Sequence, residues 1–199
     1  MLVRQKKYED FAYVLDVFPA SEYRAQVPNI IVHRNEFVAQ LLGEEFFTLL
    51  EAAVPRDRKP AVGSRIYIGK DVPRSVLRIL RRINYEDLTA GSRMILENVI
   101  LKILEENEKR FVSFFNSARP VTPRMHALEL IPGIGKKIAM KIISERSVKP
   151  FESYEDLRKR GGVQDPVKAL AQRIFEELSN PEEKYRLFVR APIFRASTA

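Results

Sequence analysis

The chain has 199 residues, 45% of them hydrophobic, which is enough for a packed core and for two domains. It has no cysteine, which excludes disulfides and thiolate metal cages and fits a reducing cytoplasm. Lys plus Arg number 34 against 26 for Asp plus Glu, and the net charge of +8 favours an acidic partner such as nucleic acid.

No apolar run reaches the roughly 18 residues of a membrane span, so no membrane partner is expected. The charged start "MLVRQKKYED" has no apolar segment behind it, which argues against a secretory signal and for a cytoplasmic protein.

The first element is read in "YEDFAYVLDVFPAS". Phe11, Tyr13, Val14, Leu15, Val17 and Phe18, bounded by Pro19, predict a strand. "NIIVHR" suggests a second short one. "FVAQLLGEEFFTLLEAAVP" is ambiguous by periodicity. Its leucines and alanines suit a helix, whereas Gly43 and Pro55 suit a two-stranded hairpin turning near Gly43–Glu45. "PRDRKP", residues 55–60, reads as a basic loop. "GSRIYIGKDVP" predicts a strand with Ile66 and Ile68 on one face. Several short strands without room for crossover helices point to a small antiparallel barrel.

Helices are expected next. "VPRSVLRILRRI" at helical spacing places Arg74, Arg78, Arg81 and Arg82 opposite Val76, Leu77, Leu80 and Ile83. A second helix is expected from about Thr89 to Phe115, burying Ile95, Val99, Ile103, Leu104 and Phe111. "FNSARPVTPRM" carries two prolines and small polar residues. It divides a first part, 1–120, from a second, 121–199. The second part carries 15 basic and 10 acidic residues, the first 19 and 16.

The stretch "LELIPGIGKKIAMKIISER" holds the sharpest feature. "RMHALELI" is read as one helix, closed by Pro132, which cannot continue it. Gly133 suits a positive φ. Ile134 is an apolar plug, and Gly135 lets a ligand approach the backbone. A second helix follows from Lys136 to about Arg146, burying Ile138, Ala139, Ile142 and Ile143 and leaving Lys136, Lys137 and Lys141 on the open side. The unpaired N–H groups at its start, with the positive end of its dipole, can hold a phosphate without reading a base. It is not a P-loop: Leu130 stands where the first glycine belongs, and Lys137 where Ser or Thr belongs. Nor is it a dinucleotide fingerprint, since Ile138 replaces the third glycine. A plain connector between two helices is the alternative.

"IPGIGKKIAMKII" resembles the helix-hairpin-helix motif of DNA- and RNA-handling proteins. "FESYEDLRKRGGVQDPVKALAQRIFEEL" resembles the second half of a tandem pair. There Ser153 and Asp156 predict a capping box and Gly161–Gly162 the turn. Asp165 caps the next helix, Pro166 takes its first position, and Val167, Leu170, Ala171, Ile174, Phe175 and Leu178 form its core face. This second unit departs from the motif: Gln164 replaces the second glycine, and Asp165 brings a carboxylate to the phosphate position. It is expected to be mainly structural, with Arg158, Lys159 and Arg160 assisting from the side. Members of the motif family sometimes hold a monovalent cation with hairpin carbonyls, by matching position those of Glu129, Ile131 and Ile134. No side-chain metal site and no cofactor are expected.

The whole chain resembles an uncharacterised, mostly archaeal family of predicted nucleic-acid-binding proteins. The segments that carry the likeness are "AYVLDVFP", "GEEFFTLLE", "RIYIGK", "NYEDLT", "LELIPGIGKK", "KPFESYEDL" and "EEKYRLF". The resemblance implies an α+β chain: an N-terminal OB-like antiparallel barrel followed by helices over 1–120, then a tandem helix-hairpin-helix domain with a C-terminal tail over 121–199. It also favours strands in the ambiguous stretch around Gly43. An OB surface would offer aromatics for stacking, with Phe11, Tyr13, Phe46, Phe47 and Tyr67 available.

Catalytic patterns are not found. His33 and His126 lack neighbours at metal spacing, there is no HExxH helix, and no serine sits in a G-x-S-x-G elbow. His126 reads as a partly buried or capping residue. The apolar run Tyr185–Phe194 reads as a tail docked on the first domain, or as a partner-binding strand. The expectation is a non-catalytic nucleic-acid-binding protein, RNA favoured over DNA. It would grip phosphate through Gly133, Ile134, Gly135, Lys136, Lys137 and Lys141, with Arg158, Lys159 and Arg160 beside them. The alternative is a protein-interaction adaptor in a translation, transcription or repair assembly.

Overall fold

The computed structural model describes residues 8–23 and 30–193. The chain divides into two compact units, one built from residues up to Val99 together with those from Phe188 onward, the other from Ile100–Leu187. Residues 100–120 therefore fold with the C-terminal unit.

The N-terminal unit is a five-stranded antiparallel sheet in the order β4-β1-β2-β3-β5, made of β1 (Phe11–Pro19), β2 (Glu36–Gly43), β3 (Leu49–Pro55), β4 (Arg65–Tyr67) and β5 (Arg78–Arg82). Because β4 and β5 are both edges, the sheet does not close, and the expected closed barrel is corrected to an open sheet. The ambiguous stretch is the β2–β3 hairpin, with Leu42 opposite Leu49. Alternation sorts the strands into two faces. Ala12, Val14, Ala39, Leu41, Leu50, Ala52 and Val54 form one core with Ile68 and Leu77. The hairpin loop is organised by buried Glu9, whose carboxylate accepts N–H groups from Glu45, Phe46 and Thr48. Gly43 is required there, because a Cβ would lie 2.1 Å from the Glu9 carboxyl carbon.

Two further expectations in this unit fail. Residues 30–35 form no strand; Asn29 lies outside the described residues. "VPRSVLRILRRI" is not a helix but a turn leading into β5. Sheet pairing overrides its helical spacing: Ala53 pairs with Arg78 and Leu50 with Arg82, with a bulge between Glu51 and Ala52. The arginines do not form one face. Arg78 pairs with Glu36 at 3.1 Å and Arg81 with Glu51 at 2.7 Å, while Arg82 donates to the Ala191 carbonyl.

The opposite sheet face sets a polar network among buried apolar residues, Tyr13, Val38, Leu42 and Ala53. Gln40 donates to Glu51 and to the Asp87 carbonyl, and accepts from Thr89 N and Ser92 Oγ. The Thr89 hydroxyl donates to Asp16 and accepts from Ser92 N, which starts α1 (Ala90–Glu106) on that face. The long helix breaks at Asn107 (φ −118°), and α2 (Glu108–Ser117) follows. Val99, Ile103, Leu104 and Phe111 are buried as expected; Ile95 is half-buried. The C-terminal segment docks on this unit: Asn84 exchanges two hydrogen bonds with the Ile193 backbone, and Arg190 N donates to the Phe46 carbonyl. Phe194 lies outside the described residues.

The C-terminal unit continues with a small hairpin, β6 (Pro120–Thr122) and β7 (Met125–His126). The expected helix over "RMHALELI" is corrected: β7 runs into a 3-10 turn, Ala127–Leu130. His126 and Glu129 lock that turn reciprocally. Leu128 N donates to His126 Nδ1 at 3.1 Å, and His126 N donates to the Glu129 carboxylate at 2.8 Å. Such a box, only six residues before Pro132, leaves no room for an α-helix. Then come α3 (Lys136–Val148), the short α4 (Tyr154–Asp156) running into a π-helical turn at Leu157–Gly161, and α5 (Pro166–Ser179). Arg173 and Glu177, both buried, pair at 2.8 Å, and Glu177 also accepts from Leu187 N. A charge pair inside α5 thus holds the chain that leaves it.

Candidate nucleic-acid interface

Two glycine turns, each leading into a helix, face a common groove of about 440 Å³. Pro132, Gly133 and Ile138 line it from the first turn; Gly162, Gln164 and Lys168 from the second. Gly133 has φ +81° and Gly162 φ +77°, a conformation that costs a side-chain-bearing residue about 1–2 kcal/mol. Each turn then buries an apolar plug, Ile134 in the first and Val163 in the second.

The first turn ends at Gly135, the N-cap of α3. Its φ of −83° and ψ of 177° are ordinary extended values, and no side chain caps the helix. A Cβ built at Gly133 or at Gly135 meets nothing within 4 Å, so this backbone faces open space. Ile134 N bonds the Ile131 carbonyl, one of the three oxygens assigned to a cation, at 3.0 Å. Ala139 and Ile142 fix the buried side of α3, with Ile138 and Ile143 half-buried. Lys136, Lys137 and Lys141 are exposed, and none has an ion-pair partner among the described residues. Lys141 crosses towards the second turn: a Cβ on Gly162 would stand 3.4 Å from its Nζ.

The cations before the second turn are engaged elsewhere. Arg158 and Lys159 share Glu155, at 2.9 and 3.2 Å. Arg160 is bound into the fold. It donates to the Glu145 and Lys149 carbonyls at the end of α3, pairs with Asp156 at 2.9 Å, and lies over the Phe151 ring. At the head of α5, Asp165 accepts from Lys168 N at 2.9 Å, with Pro166 in the first helical position. Ser153 caps α4, but Asp156 returns the bond to Glu152 N, so the box is offset by one residue.

The structure thus brings Gly133, Ile134, Gly135, Lys136, Lys137 and Lys141 together and sets Arg158, Lys159 and Arg160 into other contacts. Sequence reasoning missed Lys168 and Gln172, which line the groove from α5. Their helical spacing of four was a usable signal. Burial and the nearby Arg146 charge push the His126 imidazole below its usual range, against Glu129 and a hydrogen bond to the Ala118 backbone. Among the described residues, no group of three or more His, Asp or Glu is placed to hold a metal ion, and no helix is long and apolar enough to cross a membrane.

A family model described as "protein of unknown function (DUF655)" matches residues 8–190. The chain belongs to that family. It is 39% identical over 188 residues to the uncharacterized protein MJ0038 of Methanocaldococcus jannaschii, covering 94% of this chain and 82% of the relative. The fold is similar to the crystal structure of Af1531 from Archaeoglobus fulgidus, of the same family. The TM-score is 0.77 at 45% identity, over 92% of this chain and all of that one. The family has archaeal members, in keeping with the resemblance read from the sequence.

Proposed function

We propose that this DUF655 protein is a non-catalytic nucleic-acid-binding protein that grips backbone phosphate at the Gly133–Gly135 turn, largely independent of sequence. One observation carries the reading: α3 begins with no side-chain cap, at a glycine facing open space, beside three exposed lysines without ion-pair partners among the described residues. Free N–H groups and a helix dipole suit an anion, and the lysines make it a polyanion. The paired glycine turns support a tandem helix-hairpin-helix reading, although the first unit opens with a 3-10 turn. RNA is preferred over DNA on the family resemblance alone.

The open five-stranded sheet supports an OB-like reading of the N-terminal unit. Three of the five aromatics named for stacking are not available, however. Tyr13 and Phe47 are fully buried, and Phe11 is covered by Arg65 at 3.5 Å. The sheet face opposite the Val14–Leu41 core carries Asp16 and Glu51. The phosphate grip is therefore assigned to the C-terminal unit.

The test is titration against duplex RNA, duplex DNA and single strands at several salt concentrations, with two variants. Gly135→Asp places a carboxylate at the phosphate position and is compatible with the fold, because Asp is a favoured N-cap and the backbone there is unstrained. It is expected to weaken binding by an order of magnitude or more. Replacing Lys136, Lys137 and Lys141 with Ala flattens the dependence of log K on log salt by about one unit for each phosphate that is no longer neutralised. No binding at low salt, or undiminished binding by Gly135→Asp, overturns the assignment. Salt-insensitive capture of a protein would then favour the adaptor.

A further inference from the structure

The sheet's open seam contains a second candidate site, independent of the hairpins. A groove of about 610 Å³ runs between β5 and the loop after β4. Its size is that of a small-molecule pocket. Among the described residues, five cations line it, Lys70, Arg74, Arg78, Arg82 and Arg190, against one carboxylate, Glu9. Glu9 is turned into the hairpin loop, where three backbone N–H groups satisfy it. Arg78 is tied to Glu36, while Arg74 is exposed and makes no ion pair among the described residues. Leu50, Ile68 and Leu77, members of the core, supply an apolar floor.

Two polar atoms point to a ligand. Thr48 Oγ1 and Arg82 Nε are buried and have no hydrogen-bond partner among the described residues, and both residues line the groove. Thr48 itself is only 4% exposed. Buried donors are normally satisfied, because an orphan forfeits its hydration without return. Burial and the charge of Arg190 also press on the Arg82 guanidinium, lowering its pKa. An arriving anion would answer all of these at once.

We propose that this seam binds a phosphate monoester carried on a nucleoside-sized body, the phosphate meeting Thr48, Arg74 and Arg82 and the body resting on the apolar floor. A free nucleotide and the 5′-phosphorylated end of a strand share that chemistry.

Calorimetric titration of the full chain with AMP, adenosine and inorganic phosphate tests it, beside single-stranded hexanucleotides with and without a 5′-phosphate. AMP is expected to bind one-to-one, with adenosine and inorganic phosphate each weaker by about tenfold or more. Thr48→Val keeps the side-chain shape and removes the orphan hydroxyl. It should weaken AMP several-fold without lowering the unfolding midpoint, an outcome that simple damage to the fold would not give. Arg74→Ala, at an exposed position, should weaken AMP by about tenfold. A preference for the 5′-phosphorylated hexanucleotide that Thr48→Val removes identifies strand ends as the source; AMP binding without it identifies the free nucleotide. Gly135→Asp should leave AMP binding unchanged, so this site and the hairpin stand or fall separately. Absence of saturable AMP binding, or AMP affinity unaltered in both variants, overturns the proposal.

Discussion

The two glycine turns of the C-terminal unit share a backbone and differ in chemistry. Both place a glycine at positive φ, bury an apolar plug and open into a helix. At the first turn the helix start is uncapped and the nearby lysines have no ion-pair partner among the described residues. At the second, Asp165 caps the helix and the preceding cations are held by Glu155, Asp156 and Glu145. A helix start can offer its N–H groups to a ligand or spend them on its own carboxylate. This unit does one at each turn, so the same supersecondary device serves once as a candidate grip and once as a brace.

The largest stability effect expected from this division is at Arg160. If the second turn braces the unit, Arg160→Ala removes two bonds to carbonyls ending α3 and the pairs with Asp156 and Glu145. A loss of about 2 kcal/mol is expected in denaturant unfolding, since hydrogen bonds from a charged group are worth about 1.5–3 kcal/mol. The salt slope of nucleic-acid binding should not change. A flatter slope with full stability would move Arg160 from brace to grip and erase the contrast.

The lead-ins to the turns differ as well, and pH separates them. Ser153 caps α4 with a hydroxyl that does not titrate in the neutral range, whereas His126 caps the first lead-in through Nδ1, which must be unprotonated to accept from Leu128 N. Its folded pKa is depressed below the unfolded value of about 6.5. The unfolded chain therefore binds the proton more readily. The stability His126 contributes is present above the unfolded pKa and is lost as pH falls through the folded one. Thermal melts should show a midpoint falling as pH drops below about 6.5, and His126→Asn, which can still accept at a cap, should remove that part of the dependence. An unchanged pH profile in the variant would show that the imidazole does not titrate with folding.

What was legible follows from how local each determinant is. The Gly133 conformation and the Asp165–Pro166 helix start are set within a few residues, and their signals lie in adjacent letters; the β2–β3 hairpin was ambiguous by periodicity, since its loop is organised by Glu9, far back in the chain. The β5 strand was misread because its reason is distant. Arg78 and Arg81 find their carboxylates on β2 and β3, and the edge of β3 needs a partner, so helical spacing over a dozen residues lost to pairing. The break at Asn107 was hidden because long apolar periodicity does not register one interrupting residue, whereas the 3-10 turn before Pro132 had a local signal in His126 and Glu129, three residues apart. The partners of Arg158, Lys159 and Arg160 were partly visible at spacings of three and four, Glu155 and Asp156. Glu145, fifteen residues from Arg160, was not.

The smallest expected effect is also the sharpest test of the contrast, because it changes one charge and almost nothing else. Asn is as good an N-cap as Asp, so Asp165→Asn should keep the bond from Lys168 N and alter stability by only a few tenths of a kcal/mol. It removes the negative charge from a groove that Gly133 and Lys168 share. If that carboxylate is what keeps phosphate from the second turn, binding should tighten by about two- to fivefold at low salt, and the gain should fade as salt screens it. If affinity is unmoved, the carboxylate is not the reason the second turn is silent. The cause then passes to Gln164, which stands where the first turn has Gly135 and gives a phosphate no bare backbone to approach.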